Sequence, residues 1–155
     1  MIREGDRAPD FQLPSDTGET YELEGLRGRR VVLYFYPKDD TSGCTTEACG
    51  FRDALPSFDD RDAVVLGVSP DGLDSHADFR ARYDLNFPLL ADEEGRVARA
   101  YGVWSTKMLY GNEIEGVDRA TFVIGPDGVV ERVYDEVEPD GHAEEILADL
   151  REIEG

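Results

Sequence analysis

Two unbroken apolar runs constrain this chain more than any other feature: Val31-Val32-Leu33-Tyr34-Phe35-Tyr36 and Ala63-Val64-Val65-Leu66-Gly67-Val68. A strand with one wet face alternates apolar and polar residues, so a strand that never alternates is covered on both faces. Pro37 ends the first run, and Ser69-Pro70 closes the second. Between them Ala48, Phe51, Leu55 and Phe58 recur at helical spacing, with Pro56 placed to bend the last turn.

The rest of the pattern extends the same alternation. Phe11-Gln12-Leu13 and Thr20-Tyr21-Glu22-Leu23 flank Asp16-Thr17-Gly18 and read as a hairpin. Ser75 to Tyr83 is a short helix, Phe87-Pro88-Leu89-Leu90 a brief strand, and Val97 to Tyr101 a helical turn or two. Thr121-Phe122-Val123-Ile124 and Val129 to Tyr134 flank Gly125-Pro126-Asp127-Gly128, a second hairpin signal. Ile146, Leu147, Leu150 and Ile153 form one stripe on a closing helix. The expected fold is a three-layer α/β domain, one unit over residues 1–155, with a mixed central sheet flanked by helices and an N-terminal hairpin.

Charge narrows the partners. The chain carries 35 Asp plus Glu against 16 Lys plus Arg, a formal net charge of −19. Such a surface repels phosphate backbones and anionic lipid, so neither nucleic acid nor a membrane is expected as a partner. The opening Met1-Ile2-Arg3-Glu4-Gly5-Asp6 lacks the apolar core of a signal peptide, so the expected location is cytoplasmic. Lysine occurs only at 38 and 107, and the acids spread from Glu4 to Glu154. A solvated acidic coat of this kind suits a halophilic protein, because at about 1 M salt the Debye length shrinks to about 3 Å.

Both cysteines lie in one segment, Pro37-Lys38-Asp39-Asp40-Thr41-Ser42-Gly43-Cys44-Thr45-Thr46-Glu47-Ala48-Cys49. With Thr41 as N-cap, Cys44 is the third helical residue, beside backbone N–H groups that the helix leaves unpaired. That positive end favours the nucleophilic thiolate. Cys49 lies about 500° of rotation and about 7.5 Å of rise further on, which separates the two Cα atoms by roughly 8.6 Å. A disulfide needs less than about 7 Å, so pairing requires the first turns to unwind. On the residues alone, two buried small hydrophobes, a metal site or a structural disulfide stand beside the redox reading.

The stretch Pro37-x-x-x-Thr41-x-x-Cys44 resembles the active-site motif of peroxiredoxins, thiol peroxidases on a thioredoxin-like fold. Cys49, five residues on, is similar to the second cysteine of the Q branch. Gly5-Asp6-x-Ala8-Pro9-Asp10-Phe11, Phe87-Pro88-Leu89-Leu90-Ala91-Asp92 and Arg119-Ala120-Thr121-Phe122-Val123-Ile124 extend the likeness along nearly the whole chain. Ser42 departs from it, since that branch commonly has Pro there.

The resemblance implies that Cys44 attacks a hydroperoxide and Cys49 resolves the resulting sulfenic acid as a disulfide. It further implies that Thr41 and Arg119 orient and polarise the peroxide, and that Pro37 shapes the pocket and shields the sulfenate. A thioredoxin-like reductant, no cofactor and no metal complete the scheme, with a monomer or weak homodimer as the assembly. Arg119 read without the motif is a surface arginine paired with Asp118. The role of Glu47 stays open, His76 and His142 read as surface residues in or near helix first turns, and Trp104, Met108 and Tyr110 as ordinary exposed side chains. A thiol-disulfide oxidoreductase is the neighbouring enzyme reading, although that chemistry usually uses Cys-x-x-Cys. A non-catalytic redox sensor or chaperone is the reading from another class.

Overall fold

The computed structural model describes residues 1–154. The chain opens with an antiparallel hairpin of β1 (Gln12–Pro14) and β2 (Thr20–Glu22), with Leu13 opposite Tyr21. A 3-10 turn at Glu24–Leu26 leads to β3 (Arg30–Phe35), α1 (Ser42–Asp60), β4 (Ala63–Ser69) and α2 (Leu73–Tyr83). Next come β5 (Leu89–Ala91), α3 (Arg96–Tyr101) and a hairpin of β6 (Trp104–Leu109) and β7 (Asn112–Val117). β8 (Ala120–Ile124), β9 (Val130–Tyr134) and α4 (His142–Glu154) finish the chain.

Five strands form one mixed sheet in the order β5-β4-β3-β8-β9. β3, β4 and β5 run parallel, while β8 and β9 run antiparallel to their neighbours. The central place of β3 is why its sequence never alternates. Val31, Leu33 and Phe35 meet Phe11, Leu13 and Tyr101 on one face, whereas Val32 and Tyr34 meet Phe51, Phe79 and Ile146 on the other. Helices α1, α2 and α4 therefore cover one side, and α3 with the N-terminal hairpin covers the second. The expected three-layer arrangement with a mixed sheet is what the chain adopts.

Local chemistry explains two awkward residues. Pro56 lies inside α1 and has no N–H for the carbonyl of Arg52, four residues back. The side-chain amide of Asn86 donates to that carbonyl instead, at 3.1 Å. Gly67 interrupts the apolar run of β4 because a Cβ there would lie 2.9 Å from the Tyr34 ring and hydroxyl and 3.0 Å from Leu89.

Three expectations need correction. His76 and His142 do sit in helix first turns, yet both are buried, at 0% and 2% exposure. His142 Nε2 lies 2.8 Å from the Thr121 hydroxyl, and burial holds its pKa below the usual histidine value. The third is Trp104, which is half-buried against the core with its indole Nε1 buried, whereas Met108 and Tyr110 are exposed as expected. All three belong to the β6–β7 hairpin, whose two-residue loop, Tyr110-Gly111, is left-handed at both positions. Met108, Leu109, Tyr110 and Ile114 are exposed on it, so neither strand has the buried face that a period-two pattern records. Among the described residues no helix is long and apolar enough to cross a membrane.

Candidate active site

The site grows out of the end of β3. The Tyr36 N–H still donates to Val68 O at 3.0 Å, and Pro37, exposed and without a donor, ends the pairing. The loop to Thr41 then sets up α1. Thr41 is the N-cap in extended conformation (φ −89°, ψ 158°), but its hydroxyl donates to Lys38 O at 2.9 Å instead of capping. The first-turn N–H groups are thus left without a side-chain partner, and Cys44 is the third residue among them.

Cys44 is buried at 1% exposure, and its Sγ lies 3.5 Å from Arg119 Nη2. The other terminal nitrogen, Nη1, donates to Glu47 Oε1 at 2.7 Å. Arg119 therefore bridges a sulfur and a carboxylate that stand three residues apart on one face of α1. Burial opposes the charge of Arg119, but Cys44 and Glu47 outweigh it and raise its pKa. Gly43 makes the approach possible, because a Cβ there would lie 3.1 Å from Nη2. Asp118 is not the partner of Arg119: it accepts from Ser105 at 2.8 Å and pairs with Lys107 at 3.2 Å.

Glu47 is the residue whose role the sequence left open. Burial pushes its carboxyl up to about 7, against the pull of the Arg119 charge and hydrogen bond. Its second oxygen, Oε2, is buried with no partner, as is the Tyr34 hydroxyl beneath the site. Burial, together with the charges of Glu47, Cys44 and Asp39, holds Tyr34 as a neutral phenol. The i, i+3 spacing from Cys44 was the available signal for Glu47. Glu47 is the sixth residue of α1, beyond the first turn where a helix end favours acids, and nothing in the sequence marked it as buried.

Cys49 is half-buried on a different side of the helix, facing a groove of about 600 Å³ shared with Asp53, Asp140 and Glu144. Both cysteines are free thiols, and α1 is continuous through the two of them. The structure thus joins Cys44 and Arg119, sets Thr41 at the helix cap and Pro37 at the start of the loop, and keeps Cys49 apart.

Comparison with known proteins decides the family. The AhpC/TSA family matches residues 4–133. Peroxiredoxin Bcp of Bacillus subtilis is 44% identical over 98% of this chain and 97% of its own. The chain is a peroxiredoxin of the AhpC/TSA family. Peroxiredoxin Bcp of Escherichia coli is 39% identical over 97% of both chains. Among solved structures, the Xanthomonas campestris bacterioferritin comigratory protein, studied for alkyl peroxide reduction, superposes with a TM-score of 0.91 at 36% identity, covering 100% of this chain and 99% of that one. A peroxiredoxin Q variant from Xylella fastidiosa gives 0.94 at 34% identity with the same coverage. The fold is the thioredoxin-like one of these peroxiredoxins, and the activity is that of a thiol peroxidase.

Proposed function

We propose that this peroxiredoxin reduces hydrogen peroxide and organic hydroperoxides with Cys44 as the peroxidatic cysteine and Cys49 as the resolving one. The observation that carries the reading is the Cys44 Sγ beside Arg119 Nη2, 3.5 Å away, at an uncapped helix N-terminus. The Cys44 thiolate attacks the terminal peroxide oxygen, an S–O bond forms, and the O–O bond breaks. The departing alkoxide or hydroxide takes up a proton, leaving Cys44 as a sulfenic acid.

Arg119 polarises the O–O bond as negative charge moves to the leaving oxygen, while backbone N–H groups of the α1 first turn and the Thr41 hydroxyl orient the peroxide. For Thr41 this means turning its hydroxyl from Lys38 O when substrate enters. Pro37 shapes the mouth of the pocket and shields the sulfenate. The first turns of α1 then unwind, the Cys49 thiolate attacks the Cys44 sulfur, and hydroxide leaves as water. The missing side-chain cap lowers the cost of that unwinding. A thioredoxin-like dithiol reduces the disulfide by exchange. The setting is a salt-rich cytoplasm, with the protein as a monomer or weak homodimer.

A peroxidase assay coupled through thioredoxin reductase to NADPH tests this. Cys44→Ser abolishes peroxide consumption. Cys49→Ser stops turnover with thioredoxin while one equivalent of peroxide per chain is still reduced. Peroxide consumption by Cys44→Ser at the normal rate would overturn the assignment.

A further inference from the structure

The loop that presents Cys44 is fastened to the body of the protein by two adjacent aspartates pointing in different directions. Asp40 faces outward and accepts from Arg82 Nη1 and the Tyr83 hydroxyl, both at 2.7 Å. Asp39 turns inward and is buried at 7% exposure. Its carboxylate accepts from the Tyr36 hydroxyl at 2.6 Å and the Ser75 hydroxyl at 2.8 Å, with His76 Nδ1 at 2.7 Å. Its N–H donates to Asp71 Oδ2, 2.7 Å away, which also accepts from the Ser69 hydroxyl.

His76 is fully buried, and its Nε2 lies 2.9 Å from Leu90 O. A carbonyl can only accept, so Nε2 must carry the hydrogen. A neutral imidazole then has nothing on Nδ1 to give Asp39, and two acceptors would face each other at 2.7 Å. One additional proton is therefore shared between His76 and Asp39, making them an imidazolium–carboxylate pair. Burial alone would lower the His76 pKa, but the Asp39 hydrogen bond and charge, Leu90 O and the Asp71 charge together raise it. Asp39 and Asp71 are the charges acting on the ring, with the Tyr36 phenol on the far side of Asp39. Ligand atoms of Asp39, Asp71 and His76 lie within 4.8 Å of one another. Each already has a hydrogen-bond partner, so the cluster functions as a clamp that holds a proton.

We propose that Asp39 and His76 are positioning residues for the peroxide reaction: their shared proton pins the Pro37–Thr41 arm to α2 and β5, and so fixes the approach to Cys44. This rests on the Cys44 reading above. The arm stays fixed while α1 unwinds beyond Thr41, so the moving segment starts at a defined hinge. When the pair loses its proton, the Asp39 carboxylate faces a lone pair, the arm loosens, and the reaction of Cys44 slows. The clamp is therefore present while His76 holds its second proton and is lost as pH rises through the raised pKa of His76.

The test compares reduced wild type with His76→Asn, His76→Phe, Asp39→Ala and Cys44→Ser. The second-order rate with hydrogen peroxide is measured by competition against a reference peroxidase from pH 6 to 10, with circular dichroism and unfolding midpoints at each pH. His76→Phe and Asp39→Ala react roughly tenfold more slowly at pH 7, as loss of positioning predicts. The amide of His76→Asn can still donate to Asp39 but does not titrate. It keeps the wild-type rate at pH 7 within about threefold and loses the alkaline fall. Glu47 titrates in both proteins and cancels from that comparison. Folded His76→Phe and Asp39→Ala within twofold of wild type, or an unchanged alkaline fall in His76→Asn, would overturn the clamp. Should His76→Phe fail to fold, His76→Asn against wild type still decides. Peroxide consumption by Cys44→Ser would instead overturn the Cys44 reading and leave the clamp without a reaction to position.

Discussion

Glu47→Gln isolates the buried carboxyl that touches the guanidinium beside Cys44. In the folded protein that carboxyl is pushed up to about 7, whereas an ordinary glutamate titrates near 4.5. Folding therefore keeps a proton that the unfolded chain releases. The stability contributed by the neutral form is fully present below about pH 4.5 and is lost as pH rises through about 7. A gap of about 2.5 pH units, at about 1.36 kcal/mol each, comes to about 3 kcal/mol. Glutamine cannot ionise, so the variant gains about that much on the wild-type side chain between pH 4 and pH 9. Every other acid is common to both chains and cancels in the difference. The assay is urea unfolding followed by circular dichroism across that range at fixed KCl, in a Cys44→Ser background so that thiol ionisation does not couple. A constant offset in either direction is compatible, because the new amide meets different surroundings from Oε2. Parallel stability curves, with the difference flat from pH 4 to pH 9, would refute the reasoning.

Two further outcomes are expected. Gly43→Ala places a Cβ 3.1 Å from Arg119 Nη2, displacing the guanidinium by a few tenths of an ångström. The unfolding midpoint holds or rises, since Ala exceeds Gly in helix propensity by up to about 1 kcal/mol. The peroxide rate falls roughly tenfold, and an unchanged rate would sever Arg119 geometry from catalysis. With a net charge of −19, the unfolding midpoint and the Cys44 rate both rise from dilute buffer to molar KCl. Midpoints that ignore salt over that range would sink the halophilic reading.

The sheet was legible because its central strands never alternate. Burial on both faces leaves β3 and β4 no polar position to hide the pattern. The β6–β7 hairpin was not legible, since its outer residues face water and its register comes from the left-handed Tyr110-Gly111 loop. Cys44 could be placed at the third helical residue from Thr41 onward, because cap position and spacing are local properties. Partners across the fold were beyond local reading. Glu47 and Arg119 are 72 residues apart and His76 and Asp39 are 37 apart, so only the assembled layers reveal what each acid is for. The two histidines were misread for the same reason: a polar residue in a first turn is exposed unless another element supplies acceptors, as Asp39 and Leu90 do for His76.

The electrostatic problem set by the composition is thereby settled pair by pair. Three acids, Asp39, Asp40 and Glu47, crowd the sequence around Cys44, in a chain already at −19. Left unpaired, they would oppose any anion on the sulfur. Each is matched to its own cation: Asp39 to His76, Asp40 to Arg82, Glu47 to Arg119. Two of the three cations come from α2, and the third from the residue just before β8. Only Arg119 also contacts the sulfur, so Glu47 fixes the guanidinium while the two aspartates fix the arm. The acids nearest the thiol thus serve as fastenings, and the bulk charge is left to the surface, where salt screens it.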